Sequence, residues 1–320
     1  MILDIKDKKI LYELDLNSRE TLKSIGKKVQ LSQQAVEKRI NKMIKNGVIN
    51  SFQTIIAYHK LGYTTYIIYL RFQNTSLEKE NEIITKLKAN SNIIAIWRCE
   101  GIYDLLLAIQ SKNIFELNDI IAKINNQFGN FIRNHDIVTN VGAEHYPRNY
   151  LINAKLVKKP FKTGGKETVI KLDKKDSLIL KKLIENPRIN FIELASNLGL
   201  TVDIVRYRFK KLKEKQILQG FSIVLNHRNF GHYNFRILFK LKNITESVKK
   251  KIFTFANFNP NIKMVTKSFG TYELALDIEA ETREQLREIL SRFRNKFNEF
   301  IHHYDILDIY SIEKYVTFVL

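Results

Sequence analysis

Apolar residues fall at Ile5, Ile10, Leu11 and Leu14, near the 3.6-residue period of a helix, and Asp4 stands before them as an N-cap. A second short helix fits residues 21–29, with Leu22, Ile25 and Val29 along one stripe. Ser32 caps a third helix that runs to about Asn46, and its Val36, Ile40 and Met43 share one face. Gly47 suits the left-handed stop of that helix. Val48-Ile49 and 52–58 then predict a β-hairpin. Past Gly62 the pattern changes. Residues 63–72 predict a strand, 77–89 a helix, 93–97 a strand and 105–109 another, with a turn at Gly101-Ile102-Tyr103-Asp104 between these two strands. A helix over 114–128 and a strand over 137–141 complete the order β-α-β-β-α-β.

The whole pattern occurs twice, at a constant offset of 169 residues. Leu3-Asp4-Ile5-Lys6-Asp7 returns as Leu172-Asp173-Lys174-Lys175-Asp176, Arg19 as Arg188, Leu31-Ser32 as Leu200-Thr201, Arg39 as Arg208 and Phe52 as Phe221. Gly101-Ile102-Tyr103-Asp104 returns as Gly270-Thr271-Tyr272-Glu273, and Asp136-Ile137 as Asp305-Ile306. The chain is a tandem duplication. Three helices with a capped third and a hairpin match a winged helix-turn-helix, and β-α-β-β-α-β is the ferredoxin-like order. The predicted class is therefore α+β, two winged helix-turn-helix domains alternating with two ferredoxin-like domains. The expected boundaries are 1–60 and 61–150 for the first copy, 170–229 and 230–320 for the second. Residues 151–169, with Pro160, Gly164-Gly165 and several lysines, read as a solvated linker. Extended, it reaches about 60 Å at ~3.3 Å per residue, enough to let the halves dock.

Composition narrows the partners. Among 320 residues, 53 Lys and Arg against 33 Asp and Glu give a net charge of +20, which favours a polyanion. The 44% hydrophobic share supports packed cores and excludes wholesale disorder. The single cysteine, Cys99, excludes a disulfide framework and a multi-cysteine zinc site. The apolar runs 93–97 and 105–109 are far shorter than the ~20 residues of a membrane helix, and Met1-Ile2-Leu3-Asp4 is neither signal nor transit peptide. A cytoplasmic protein without cofactor or metal is expected.

The third helices carry the candidate chemistry. In the first copy Ser32, Gln33, Gln34, Glu37, Lys38, Arg39, Asn41 and Lys42 fall on or beside the outward face. In the second copy the matching set is Thr201, Val202, Asp203, Arg206, Tyr207, Arg208, Lys210 and Lys211. Gln and Asn bond adenine edges, while Arg and Lys bond guanine or phosphate, so double-stranded DNA is the expected partner. Arg39 and Arg208 serve equally well as braces within the fold. The two faces differ, so a target read by both copies need not be palindromic.

Leu-Asp-x-x-Asp-x-x-Ile-Leu, then Leu-Ser with Val-x-x-Arg-Ile and Gly-Val-Ile, then Gly-x-Tyr-Asp, taken in this order, resembles the Lrp/AsnC (feast/famine) transcriptional regulators. That resemblance implies a DNA-binding domain followed by a regulatory (RAM-type) domain that assembles the protein and often binds an amino acid. It also implies a prokaryotic, archaeal source and a chain that works as an intrachain pseudo-dimer, with a homodimer as a further step. By resemblance, the effector residues are Gly101, Tyr103 and Asp104, with Gly270, Tyr272 and Glu273 in the second copy. In the alternative, the glycine makes the turn, the tyrosine packs on the sheet and the acid caps it. Copy two departs from the pattern at Glu273 and at Gln216, which replaces the glycine after the third helix.

Two other readings stand beside the regulator. Siroheme decarboxylases share the two-domain layout, and Arg98, His135 and His302-His303 are the residues here that such a tetrapyrrole enzyme would use. A weakly specific architectural DNA-binding protein would also suit the charge, and predicts steep salt dependence.

Overall fold

The computed structural model describes residues 1–153, 160–165 and 169–318. Asp4 opens α1 (Ile5–Leu16) through a capping box, in which its carboxylate accepts from the Asp7 N–H and the Asp7 carboxylate accepts from the Asp4 N–H. Thr21 caps α2 (Leu22–Val29), and Ser32 caps α3 (Gln33–Lys45) by accepting from the Ala35 N–H. Ile10, Leu14, Ile25, Val36, Ile40 and Met43 close one core among the three helices. The chain continues as β1 (Ile49–Ile56), β2 (Thr64–Phe72), α4 (Leu77–Ala89), β3 (Ile93–Glu100), β4 (Leu105–Ser111), α5 (Ile114–Phe128) and β5 (Ile132–His145).

After β6 (Phe161–Gly164) the second copy repeats the order. It comprises α6 (Lys174–Glu185), α7 (Phe191–Leu198), α8 (Val202–Glu214), β7 (Leu218–Leu225), β8 (Tyr233–Leu241), α9 (Glu246–Asn257), β9 (Ile262–Gly270), β10 (Leu274–Ala280), α10 (Arg283–Phe297) and β11 (Ile301–Tyr315).

The predicted hairpin after the third helix does not form. β1 is one strand, and it pairs antiparallel with β7 of the other copy. Asn50-Ser51 lacks the glycine that a tight two-residue hairpin favours, and a register shift between Ile49 and Ser51 marks the spot where the turn was expected. Gln53 faces Ser222, its own counterpart, so the pseudo-two-fold axis crosses the ribbon there. Arg19 lies over the Phe221 ring at 5.1 Å, and Arg188 answers over Phe52 at 5.0 Å. Such reciprocal contacts characterise an isologous interface.

The regulatory halves interlock. Each forms a four-stranded antiparallel sheet in ferredoxin-like order, β5-β2-β4-β3 and β11-β8-β10-β9. The last strand of each copy continues into the other's sheet, β5 onto β9 and β11 onto β3, which closes eight strands into a ring with no free edge between the copies. Strand alternation divides the side chains. Ile68, Leu70, Leu105 and Leu107 face α4 and α5, and Ile237, Phe239, Leu274 and Leu276 face α9 and α10. Ile67, Tyr69, Leu106, Leu238 and Ala275 point inward, between the sheets.

Part of the expected linker is structured. β6 adds to β5, with His145 opposite Phe161 and Gly142 opposite Gly164, and the Phe161 ring sits against Gly220. The rest of that segment, 154–159 and 166–168, lies outside the described residues.

Candidate nucleic-acid interface and effector loops

The two third helices present their predicted faces outward. Gln33, Gln34, Glu37, Lys38, Asn41 and Lys42 of α3 are exposed. On α8, Asp203, Arg206, Tyr207 and Lys210 are exposed, and Lys211 is half-buried. Arg206 lies 4.0 Å from Asp203, and Lys210 lies 3.8 Å from Glu214. Ion pairs this exposed and long contribute little, so both cations stay available to an incoming phosphate. Ser32 and Thr201 are N-caps, accepting from the Ala35 and Ile204 N–H groups.

Arg39 and Arg208 are committed within the fold. Arg39 donates to Asp4 and to Asp7, both at 2.7 Å, tying α3 to the capping box of α1. Arg208 repeats the clamp on Asp173 and Asp176, and its guanidinium holds the Asp173 carboxyl down to about 2. These ion pairs brace the third helix of each copy against the first, through one guanidinium nitrogen of each arginine.

The Gly-x-Tyr-Asp loops lie at the far end of the pseudo-axis. The Tyr103 and Tyr272 hydroxyls stand 3.5 Å apart, and each donates to a carboxylate, Tyr103 to Asp136 at 2.6 Å and Tyr272 to Asp305 at 2.9 Å. Both rings are buried between the sheets, and burial together with these carboxylates pushes both phenols well above their usual pKa. Gly101 and Gly270 hold φ values of +142° and +139°, and a Cβ on either would lie 2.6 Å from a carbonyl oxygen of the opposite copy's last strand. Asp104 accepts from the Phe72 N–H, and Glu273 accepts from the Leu241 N–H while pairing with Lys240. The tyrosines thus face the interior, whereas Gly101 and Asp104 border an outer cleft of about 220 Å³ that also touches Arg71, Glu80, Arg98 and Glu100.

A buried charge cluster escaped the sequence reading. Arg148 donates to Glu279 at 2.9 Å and to Asp15, while Lys263 reaches Asp15 at 3.1 Å and Tyr150 donates to Glu279 at 2.7 Å. Burial alone would raise both carboxyls, but Lys263 and Arg148 hold Asp15 low, and Arg148 with His227 holds Glu279 well below its usual value. The duplication carried a usable signal. At the 169-residue offset Asp15, Arg148, Lys263 and Glu279 align with Ile184, Thr317, Ile94 and Gln110, so charge replaces neutral residues at sites whose faces point inward.

Comparison with known proteins agrees with this geometry. The AsnC-type helix-turn-helix domain matches residues 3–44, and a winged helix-turn-helix DNA-binding domain matches 172–219. HTH-type transcriptional regulator FL11 of Pyrococcus horikoshii is 31% identical over 122 residues, covering 38% of this chain and 80% of that protein. The chain belongs to the Lrp/AsnC family. FL11 of Pyrococcus furiosus is 29% identical over 123 residues, again 80% of its length. This Lrp/AsnC member differs from those relatives in carrying the family unit twice. A solved structure, the siroheme decarboxylase NirDL, follows the double arrangement at a TM-score of 0.60, covering 98% of this chain and 94% of its own. At 14% identity that likeness concerns the fold. Among the described residues no cluster of three His, Cys, Asp or Glu side chains suits a metal, and no helix is long and apolar enough to cross a membrane.

Proposed function

We propose that this Lrp/AsnC member is a sequence-specific regulator that grips double-stranded DNA as an intrachain pseudo-dimer, with α3 and α8 reading two unlike half-sites. One observation carries the reading. Two capped helices with exposed but dissimilar faces, Gln33, Gln34, Lys38 and Lys42 against Arg206, Tyr207 and Lys210 with the half-buried Lys211 beside them, are joined across the β1–β7 ribbon. Amide side chains suit adenine edges and guanidinium or ammonium groups suit guanine and phosphate, so the two halves prefer different sequences. The regulator names of the FL11 relatives support the same class.

An amino acid at the outer cleft beside Gly101 and Asp104 is the proposed effector, its ammonium directed to the acidic side chains and its carboxylate to Arg71, which would have to give up its bond to the Gly101 carbonyl at 2.6 Å to receive it. The tetrapyrrole reading has less support. Arg98 is engaged by Glu313 at 2.9 Å, and His135, His302 and His303 are exposed on the outer surface, so no shared site gathers them.

The test is a gel shift with the protein's own upstream region against scrambled DNA, over a salt series. Reversing charge at Arg206, Lys210 and Lys211 should weaken specific binding by more than about tenfold at moderate salt and flatten the salt slope. Equal binding to both probes that vanishes as salt rises would favour an architectural protein instead. Unchanged affinity in the triple variant would remove α8 from the interface.

A further inference from the structure

Between the ribbon and the closed ring of strands lies a cavity on the pseudo-two-fold axis. It has two lobes of about 120 Å³ each, which share Gln53, Trp97, His145, Arg236, Met264 and Tyr315. If the copies were equivalent, both lobes would have the same chemistry. They differ. Arg236, Asp277 and Glu279 on the second copy's inward face stand where the first copy has Ile67, Ala108 and Gln110.

The charged lobe is already balanced. Arg236 donates to both Asp277 oxygens, at 2.8 and 2.9 Å, and Arg148 and Lys263 answer Glu279 and Asp15. No charge is left over for a ligand to neutralise, and an ion entering here would lose its hydration without compensation. The other lobe is lined mainly by Ile55, Ile56, Ile67, Ile94, Ala95 and Ala108, with the hydroxyl side chains of Tyr58, Thr65 and Thr163 and the shared Arg236 among them. Burial there pushes His145 down to about 3, so that imidazole is neutral.

Into this apolar lobe project polar atoms that have no hydrogen-bond partner among the described residues. Thr266, 2% exposed, leaves its hydroxyl unmatched, and Asn140 leaves its buried Oδ1 unmatched. Buried polar atoms are rarely left so, and an unmatched carbonyl oxygen requires a donor. The lobe's walls come from the ribbon, through Ile55 and Ile56, and from the inward face of the ring, through Ile67, Ile94, Ala95 and Ala108. An apolar cavity of about 150 Å³ is known to accept benzene, so at about 120 Å³ the apolar lobe has room for one small ring at most.

We propose that this cavity is a binding site for a small, uncharged, monocyclic aromatic molecule bearing one N–H or O–H donor, which bonds Asn140 Oδ1 and the Thr266 hydroxyl while its ring lies near Trp97. The site is separate from both the DNA-facing helices and the outer cleft, and it stands whether or not an amino acid binds there.

Trp97 is the only tryptophan in the chain and reports on the cavity directly. The full-length protein is titrated with phenol, and separately with toluene, which has the ring without the donor, while Trp97 fluorescence is excited at wavelengths phenol does not absorb. Phenol should give a saturable change with an affinity at least threefold above that of toluene. Thr266→Val, close to isosteric, should narrow that ratio toward one. Ala108→Leu should abolish the response to both probes by filling the lobe. Absence of saturable binding by the wild type would overturn the proposal, as would equal affinities or an unchanged phenol response in Ala108→Leu. Should Ala108→Leu fail to fold, the Thr266→Val comparison decides alone.

Discussion

Replacing Arg148 with methionine tests the buried charge cluster that ties the first helical domain to the ring of strands. Asp15 lies on α1, Glu279 on β10, and Arg148 just after β5, so one guanidinium bridges three elements. Its side chain is 6% exposed, against 0% for Asp15 and 2% for Glu279. Methionine keeps most of the volume but leaves two buried carboxylates short of a cation. Removing one member of a buried pair typically costs about 3–5 kcal/mol, and because Lys263 and His227 remain, the lower end, about 3 kcal/mol, is expected. Urea unfolding followed through Trp97 fluorescence measures it.

Acid supplies a second readout of the same variant. Both carboxyls titrate below their ordinary values in the folded protein, so the unfolded chain takes up protons first. Their contribution is complete above about pH 4.5 and fades as pH falls through the lowered folded values. The wild type should therefore lose stability more steeply in acid than Arg148→Met, whose carboxyls sit nearer their ordinary values. A loss under about 1 kcal/mol at neutral pH, with parallel acid profiles, would refute the claim that the cluster is a structural tie.

Three further outcomes follow from the geometry. Arg39→Met should lower urea stability by roughly 1–2 kcal/mol, because Asp7 is nearly buried, while the salt slope of DNA binding should change by well under the ~0.9 that one lost phosphate contact removes. Gly101→Ala should cost roughly 1–3 kcal/mol in thermal or urea unfolding, since φ is +142° and the new Cβ would meet the Ile306 carbonyl; a neutral result would mean that the loop moves freely. Cys99 is buried, and burial raises its thiol pKa, so iodoacetamide should leave it unmodified in the native protein and label it only on unfolding; mass spectrometry distinguishes the two.

The local structure of this protein was already legible in its sequence. The caps Asp4 and Ser32, the stripe Val36, Ile40 and Met43, the helices at 77–89 and 114–128 and the ferredoxin-like order all depend on residues within a few turns of one another. The duplication was legible for the same reason, as a pattern repeated at one offset. What each half pairs with is a different kind of information. β1 presents a ladder edge that the neighbouring turn residues cannot close, and only the folded chain brings β7 alongside it. β5 and β11 run beyond their predicted ends because each finds an edge strand in the other copy to continue on. The same long-range pairing turned Tyr103 and Tyr272 inward to face one another and gathered Asp15, Arg148, Lys263 and Glu279 from four distant segments. Hydrophobic period and capping act over a few residues, whereas strand partners and charge neutralisation are settled by whichever groups the packed core brings within 3 Å or so, however far apart they lie in the chain.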